Sequence, residues 1–367
     1  MKKSTPRRLG AALLLPFFAS GAYCQNPAAV RAYRAAVADY ESVRMDKALA
    51  RLNRAAELDP EWTTVYGLRA MCLWTGGQAW RAQKDARAGL RIRPADAGSY
   101  TARGMARYVS KDLAGAKKDY REAIRLAPRD PLANFALGAL LSAEGHPQEA
   151  LAYLDKAVRL APRAALFYIV RGTALDKLSM FKRASGDYST VLALNPGFAW
   201  ARLYRAKDFR ELKEIRRAID DFDAFLRVHP DNAEAHYLRG NMRYLSGSYA
   251  AAISDLDRVI TLEPSNGLAY SNRGLARARI GDPDGAAQDL SRAAQLLPNR
   301  REEIEKIIAR VKRGGGYGSA PARTGVAAEP LPGSASTPSE ERSLIEMEPS
   351  RSAPKENEDL GGAVLIQ

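Results

Sequence analysis

The chain has 367 residues, 46% apolar and 27% charged, with a formal net charge of +14 at pH 7. That length is too great for one compact core, and the composition is that of an ordinary folded protein, which excludes fibrous and wholly disordered classes. No run of eighteen apolar residues occurs in the body, so no membrane-spanning helix is expected there, and Cys24 and Cys72 cannot make a disulfide framework.

The first two dozen residues stand apart. Lys2, Lys3, Arg7 and Arg8 precede an apolar stretch from Leu9 to Phe18, and the small residues Ala19, Ser20, Gly21 and Ala22 follow. Basic start, short apolar core and small side chains are the order of a secretory signal peptide. Ser20 and Ala22 fit the peptidase's small-x-small rule, so residues 1–22 are expected to be removed, with cleavage after Cys24 as the second choice. The mature chain is then extracytoplasmic, periplasmic or secreted, in the envelope of a bacterium. Two alternatives keep the segment and tie the chain to a membrane. One is an uncleaved anchor, for which the apolar run is short; the other is a lipidated Cys24, which the bulky Tyr23 disfavours. Arg7 and Arg8 match a twin-arginine signal poorly.

Beyond the leader the chain repeats itself. Pro60, Pro94, Pro128, Pro162, Pro196, Pro230, Pro264 and Pro298 are spaced 34 residues apart. With each proline at position 32, eight units run 29–62, 63–96, 97–130, 131–164, 165–198, 199–232, 233–266 and 267–300. Position 20 is then always Ala, from Ala48 and Ala82 to Ala252 and Ala286. Position 8 is always Ala or Gly, from Ala36 and Ala70 to Gly240 and Gly274. Position 24 is large in seven units, with Ala86 the exception, and position 30 is always aliphatic. Small residues at 8 and 20 allow two helices to approach closely, and positions 20, 24, 27 and 28 make one apolar helical stripe. Gly77, Gly145, Gly247 and Gly281 fall at position 15, where a helix must end, and the prolines mark the turn to the next unit. Each unit reads as helix, tight turn, helix, proline turn.

These columns resemble the tetratricopeptide repeat family. The resemblance covers residues 29–300 and implies an all-α, right-handed superhelical solenoid of about eight 34-residue helix-turn-helix repeats. Tyr66, Tyr100, Tyr168 and Tyr270 occupy position 4; Ala32, Asn134, Arg202 and His236 depart there. The departures predict that the first helices of repeats 4, 6 and 7 pack differently. Residues 300–313, with Ile304, Ile307, Ile308 and Val311 on one face, read as a helix capping the open end. From 314 to 367 the chain is rich in Gly, Ser, Pro, Ala and Glu, and reads as a disordered acidic tail. Its last residues, Ala363-Val364-Leu365-Ile366, read as an unstructured end, with strand addition to a partner as the alternative. Four basic residues against eight acids give the tail −4, which leaves the repeat body at about +14.

One pair of columns carries opposite charge. Position 7 is Arg69, Arg103, Arg171, Arg205, Arg239 and Arg273; position 23 of the same six units is Asp85, Asp119, Asp187, Asp221, Asp255 and Asp289. Repeats 1 and 4 lack both, carrying Ala35 with Arg51 and Leu137 with Tyr153. Losses matched within a unit point to an ion pair between the two helices of one repeat. The alternative is a row of arginines lining a groove for an anion.

The resemblance implies that the first helices line the concave face, with positions 2, 5, 9 and 12 turned toward a ligand. The candidate groove residues are Thr64, Met71 and Trp74; Thr101, Met105 and Tyr108; Trp200, Lys207 and Arg210; and Tyr237, Asn241 and Tyr244. Aromatic and methionine side chains with scattered polar groups suit an extended peptide or a partner helix. The alternative for each aromatic is inter-repeat core. The Lys, Asn and Arg clamp that some family members use on chaperone tails is missing, since Tyr33, Val37 and Leu68 stand at such columns. No catalytic residue, cofactor or small-molecule substrate is expected. His146, His229 and His236 are scattered, Gly314-Gly315-Gly316 opens a linker, and no metal-ligand spacing occurs. The reading is an exported, non-enzymatic scaffold for a protein or peptide partner. A membrane-anchored envelope assembly factor is the second reading. A polyanion or nucleic-acid binder is the third, and only the basic body favours it.

Overall fold

The computed structural model of the chain describes residues 26–314. The expected signal peptide, Cys24 and all of the acidic tail after Gly314 lie outside the described residues. Within them the fold is all-α. The first helices of the repeats are α1 (Pro27–Glu41), α3 (Thr64–Thr75), α5 (Ala97–Val109), α7 (Pro131–Ala143), α9 (Ala165–Lys177), α11 (Ala199–Glu211), α13 (Ala233–Leu245) and α15 (Gly267–Arg279). Their partners are α2 (Met45–Leu58), α4 (Ala79–Gly89), α6 (Leu113–Leu126), α8 (Pro147–Leu160), α10 (Phe181–Leu194), α12 (Ile215–Leu226), α14 (Tyr249–Leu262) and α16 (Pro283–Leu296). A 3-10 turn at Pro298–Arg300 leads into α17 (Arg301–Lys312). Each helix packs first on its partner and then on the next repeat, which makes a helical-repeat solenoid. At its end α17 lies on α16 with Ile304, Ile307 and Val311 buried.

The small column at position 8 exists because position 24 is large. A Cβ on Gly172 would sit 2.9 Å from the Tyr188 ring, and one on Gly138 or Gly274 would meet Leu154 or Leu290 at 2.7 and 2.9 Å. Such overlap forces a shift of packed atoms, so the two columns fix the distance between paired helices. Where position 24 is Ala86, position 8 is Ala70, and both are fully buried.

Position 15 is left-handed in every repeat. Gly77, Gly145, Gly247 and Gly281 have φ between 70 and 84°, as their lack of a Cβ allows. The other four repeats force Val43, Lys111, Ser179 and Lys213 into the same region, at 58, 64, 57 and 61°. The backbone geometry of the turn overrides residue preference there.

The position 4 departures do not change the packing of repeats 4 and 7 as expected. Tyr66 donates its hydroxyl to the carbonyl of Pro60 at 3.0 Å. Asn134 Nδ2 reaches Pro128 O at 3.3 Å, and His236 Nε2 lies 2.9 Å from Pro230 O. Three different side chains therefore tie the first helix to the preceding proline turn. Arg202 of repeat 6 turns instead toward Asp221, at 3.7 Å.

Candidate functional site

The charged columns meet inside each repeat. In repeat 5, Arg171 Nε and Nη2 donate to the two oxygens of Asp187 at 2.8 and 2.6 Å. The same two-pronged geometry joins Arg69 to Asp85, Arg103 to Asp119, Arg205 to Asp221, Arg239 to Asp255 and Arg273 to Asp289. The arginines sit over the position 4 rings of Tyr66, Tyr100, Tyr168 and Tyr270 where these are present. The pair is not confined to one repeat. Nη1 of Arg171 donates to Asp155 of repeat 4 at 2.8 Å, and Nη1 of Arg205, Arg239 and Arg273 reaches Ser189, Asp223 and Asp257 of the preceding repeat. Arg69 reaches Asn53 in the same way, at 3.3 Å. All these acceptors are at position 25, a column the sequence reading missed although its Asp and Ser content was visible. Planar guanidinium groups suit this double role, since the Nε–Nη2 edge grips a carboxylate and Nη1 remains to donate to the neighbouring repeat.

Repeats 1 and 4 solve the same contact differently. In repeat 1 the polarity is reversed: Arg51 on α2 reaches the buried Asp39 on α1 at 2.8 Å. In repeat 4 the ion pair gives way to a buried Leu137 beside a half-buried Tyr153. Replacement of a buried pair by apolar packing is energetically reasonable.

Successive first helices touch one another at α3–α5, α5–α7, α7–α9 and α13–α15, whereas the second helices do not approach comparably. The first helices are thus the inner, shorter side of the curve. On that side the twelve groove candidates divide. Thr64, Met71, Trp74, Tyr108, Trp200, Lys207 and Arg210 keep part of their surface in solvent. Thr101, Met105, Tyr237, Asn241 and Tyr244 are buried and offer no face to a ligand, which corrects their assignment to the groove. Tyr237 and Asn241 accept hydrogen bonds from Asn272 of the next repeat at 3.1 and 2.8 Å, so they belong to the repeat interface. Trp200 is wedged against Phe225 and His229. Trp74 and Tyr108 pack together on the small cluster made by Ala70, Leu73, Ala106 and Val109.

The inner side is tight at its N-terminal end. Gly67 lets α3 and α5 meet almost backbone to backbone, because a Cβ there would overlap the Ala102 carbonyl, and Gly89 at the end of α4 makes room for the Ala106 methyl of α5. This sharp approach accompanies contact between α1 and α9, four repeats apart. Tyr33 of α1 packs against Trp62 at a ring separation of 5.0 Å. Glu41, at the end of α1, is pushed up to about 7 by burial and then by the nearby charge of Asp130.

Two carboxyl groups share a buried position between repeats 5 and 6. Asp176 of α9 accepts a hydrogen bond from the Tyr188 hydroxyl at 2.6 Å and lies against Asp208 of α11, which is 2% exposed. Burial, and then the adjacent Asp176 charge, raise Asp208 to about 10; burial also raises Asp176. Two like charges in one dry site cannot both ionise, so the pair holds a proton at neutral pH. Among the described residues no group of three or more His, Cys, Asp or Glu side chains is placed to hold a metal ion. No described helix is long and apolar enough to cross a membrane.

Known proteins agree with this architecture. A family model described as tetratricopeptide repeat matches residues 101–165, 203–262 and 246–300. No curated protein matches the sequence. Among solved structures, the APC/C hetero-tetramer Cut9–Hcn1 superimposes with a TM-score of 0.55 at 18% identity, covering 76% of this chain and 54% of that one. YrrB, described as a TPR protein with an unusual peptide-binding site, gives a TM-score of 0.48 at 21% identity over 53% of this chain and 97% of its own. PilF of Pseudomonas aeruginosa gives 0.47 at 18% identity, over 57% and 97%. With the 34-residue columns, the stacked helix pairs and the matched family model together, the repeats across residues 101–300 are tetratricopeptide repeats.

Proposed function

We propose that the chain is an exported scaffold that holds a peptide or a partner protein on the inner face of its solenoid. Tetratricopeptide repeats are in general protein–protein interaction scaffolds, and nearly every described residue here belongs to repeats or their cap. The observation that carries the groove reading is the pair Trp74 and Tyr108, packed on one small cluster, with Met71 one turn before Trp74 on α3; each is apolar or aromatic and still partly in water. Large, stiff side chains of this kind gain much from covering by a partner. Lys207 and Arg210 add polar contacts farther along, although Lys207 is 2.7 Å from Glu234 and Arg210 is 2.6 Å from Glu211, so a ligand must compete for them. Export rests on the N-terminal sequence pattern alone.

Two measurements test the reading. Fractionation with N-terminal sequencing is expected to find the chain outside the cytoplasm, beginning at Tyr23; a cytoplasmic chain that retains Met1 contradicts export. Affinity capture with the wild type and with Trp74→Ser/Tyr108→Ser is expected to lose the bound partner in the variant while its helical circular dichroism is unchanged. Equal recovery of every partner removes the groove.

A further inference from the structure

We propose that the convex side of repeats 2 and 3 is a docking ridge for an anionic lipid bilayer. The first observation is a break in the charge pattern. Position 25 supplies the acceptor for the next repeat's arginine everywhere it is needed except once: behind Arg103 stands Arg87, and Arg103 makes only its two bonds to Asp119. Repeat 3 also has an arginine there, Arg121, ahead of the repeat that lacks the position 7 arginine. The same two repeats, and no others, carry lysine at position 22, as Lys84 and Lys118. Of these four cations only Arg121 has an ion-pair partner among the described residues, Glu149 at 4.0 Å.

The second observation is their arrangement. Trp80, Lys84, Arg87 and Arg91 follow at steps of four, three and four residues, which puts them on one face along α4 and the turn after it. All four are exposed, and Trp80 has 74% of its surface in water, the most of any large apolar side chain described. Lys118, Arg121 and Arg125 repeat the last two steps on α6. Nearby acids blunt this second row only: Glu122 pairs with Arg125, and Glu149 lies 4.0 Å from Arg121. The acid within α4, Asp85, is buried and held by Arg69.

The occupant follows from charge, shape and the tryptophan. A row of cations needs an anionic surface, and clusters of this size on a helix face suit acidic lipid headgroups. A flat bilayer can meet a convex ridge along both helices, whereas a nucleic-acid duplex, itself convex, would touch it over little area. An exposed indole beside the cations fits the headgroup layer, where its ring and its N–H are both accommodated. This ridge is separate from the inner face, so a scaffold could hold its partner and the membrane together.

The test is co-sedimentation of the full chain with vesicles of phosphatidylcholine, alone or with about one-third phosphatidylglycerol. Lys84→Gln/Arg87→Gln/Arg91→Gln is expected to lower partitioning to the anionic vesicles on the order of a hundredfold. A control with three exposed cations removed elsewhere, Arg216→Gln/Arg227→Gln/Arg292→Gln, is expected to change it little. Trp80→Phe should abolish the blue shift in tryptophan emission that the vesicles induce. Because every variant shares the same N-terminal segment, differences report on the ridge. Unchanged partitioning of the ridge variant overturns the proposal, as does an equal loss in the control. Ridge-dependent binding to duplex DNA without vesicle binding, or ridge-dependent self-association without lipid, also overturns it.

Discussion

The charge ladder predicts a coupling that can be measured in repeat 5. Asp187 is 5% exposed and is gripped by Arg171 through two bonds of 2.8 and 2.6 Å. Burial raises Asp187 more than Arg171 lowers it, so the carboxylate is already costly where it sits. Arg171→Ala leaves that charge with only the distant help of Arg183 and also breaks the bond to Asp155. Loss of one partner of a buried pair costs about 3–5 kcal/mol. The partial exposure of Arg171 and the option for Asp187 to take up a proton reduce this to about 2–3 kcal/mol at pH 7. In an Asp187→Ala background the charge is gone, and the same arginine change should cost only about 1 kcal/mol, so the coupling is about 1–2 kcal/mol. The assay is urea unfolding of the four proteins of the cycle, followed by circular dichroism, with amide exchange on α9 and α10 to locate the change. In Arg171→Ala the folded carboxyl titrates above its unfolded value, so the loss should grow as pH rises from 5 to 8. Additive effects within about 0.3 kcal/mol would refute the reasoning.

Three further outcomes follow from single sites. Asp208→Asn should stabilise the chain, and more so at pH 8 than at pH 5. Asp208 titrates near 10 in the folded state, so the native protein holds a proton that the unfolded chain releases, and stability falls as pH rises between the two values. A pH-independent effect in urea unfolding would contradict the shared proton. Lys111→Gly should raise stability by about 0.5–1 kcal/mol, since the exposed Lys111 is held at φ 64°; a lowered unfolding midpoint would show the turn is not strained. Gly172→Ala should cost about 1–3 kcal/mol, because the new Cβ meets the Tyr188 ring at 2.9 Å and that ring is anchored through Asp176. A neutral thermal melt would mean the helices can separate without penalty.

Much of the fold was legible because the repeat fixes it. One proline period locates every turn, and the small residues at position 8 opposite large ones at position 24 state how closely paired helices approach. Contacts between repeats were less visible. Position 25 is Asn53, Arg87, Asp155, Ser189, Asp223 or Asp257 in units followed by an arginine, a mixture too varied to read as one acceptor column before the geometry is seen. The Asn134, His236 and Tyr66 side chains look unrelated, yet each reaches the carbonyl of the proline that precedes its repeat. Helical phase identifies the inner face but not how tightly neighbouring first helices close, so Met105 and Tyr237 were assigned to a groove from which packing excludes them. The Asp176–Asp208 pair lies at positions 12 and 10 of successive repeats, and no periodic pattern brings those positions together.

Contact mapping tests the central claim most directly. A photoreactive amino acid placed at Met71, on the inner face, should form a covalent adduct with a specific partner protein in cells, and excess unlabelled chain should compete it away. The same probe at exposed outer positions such as Thr261 or Gln288 should not. Adducts of the same partner from the outer positions, with none from Met71, would contradict an inner-face scaffold.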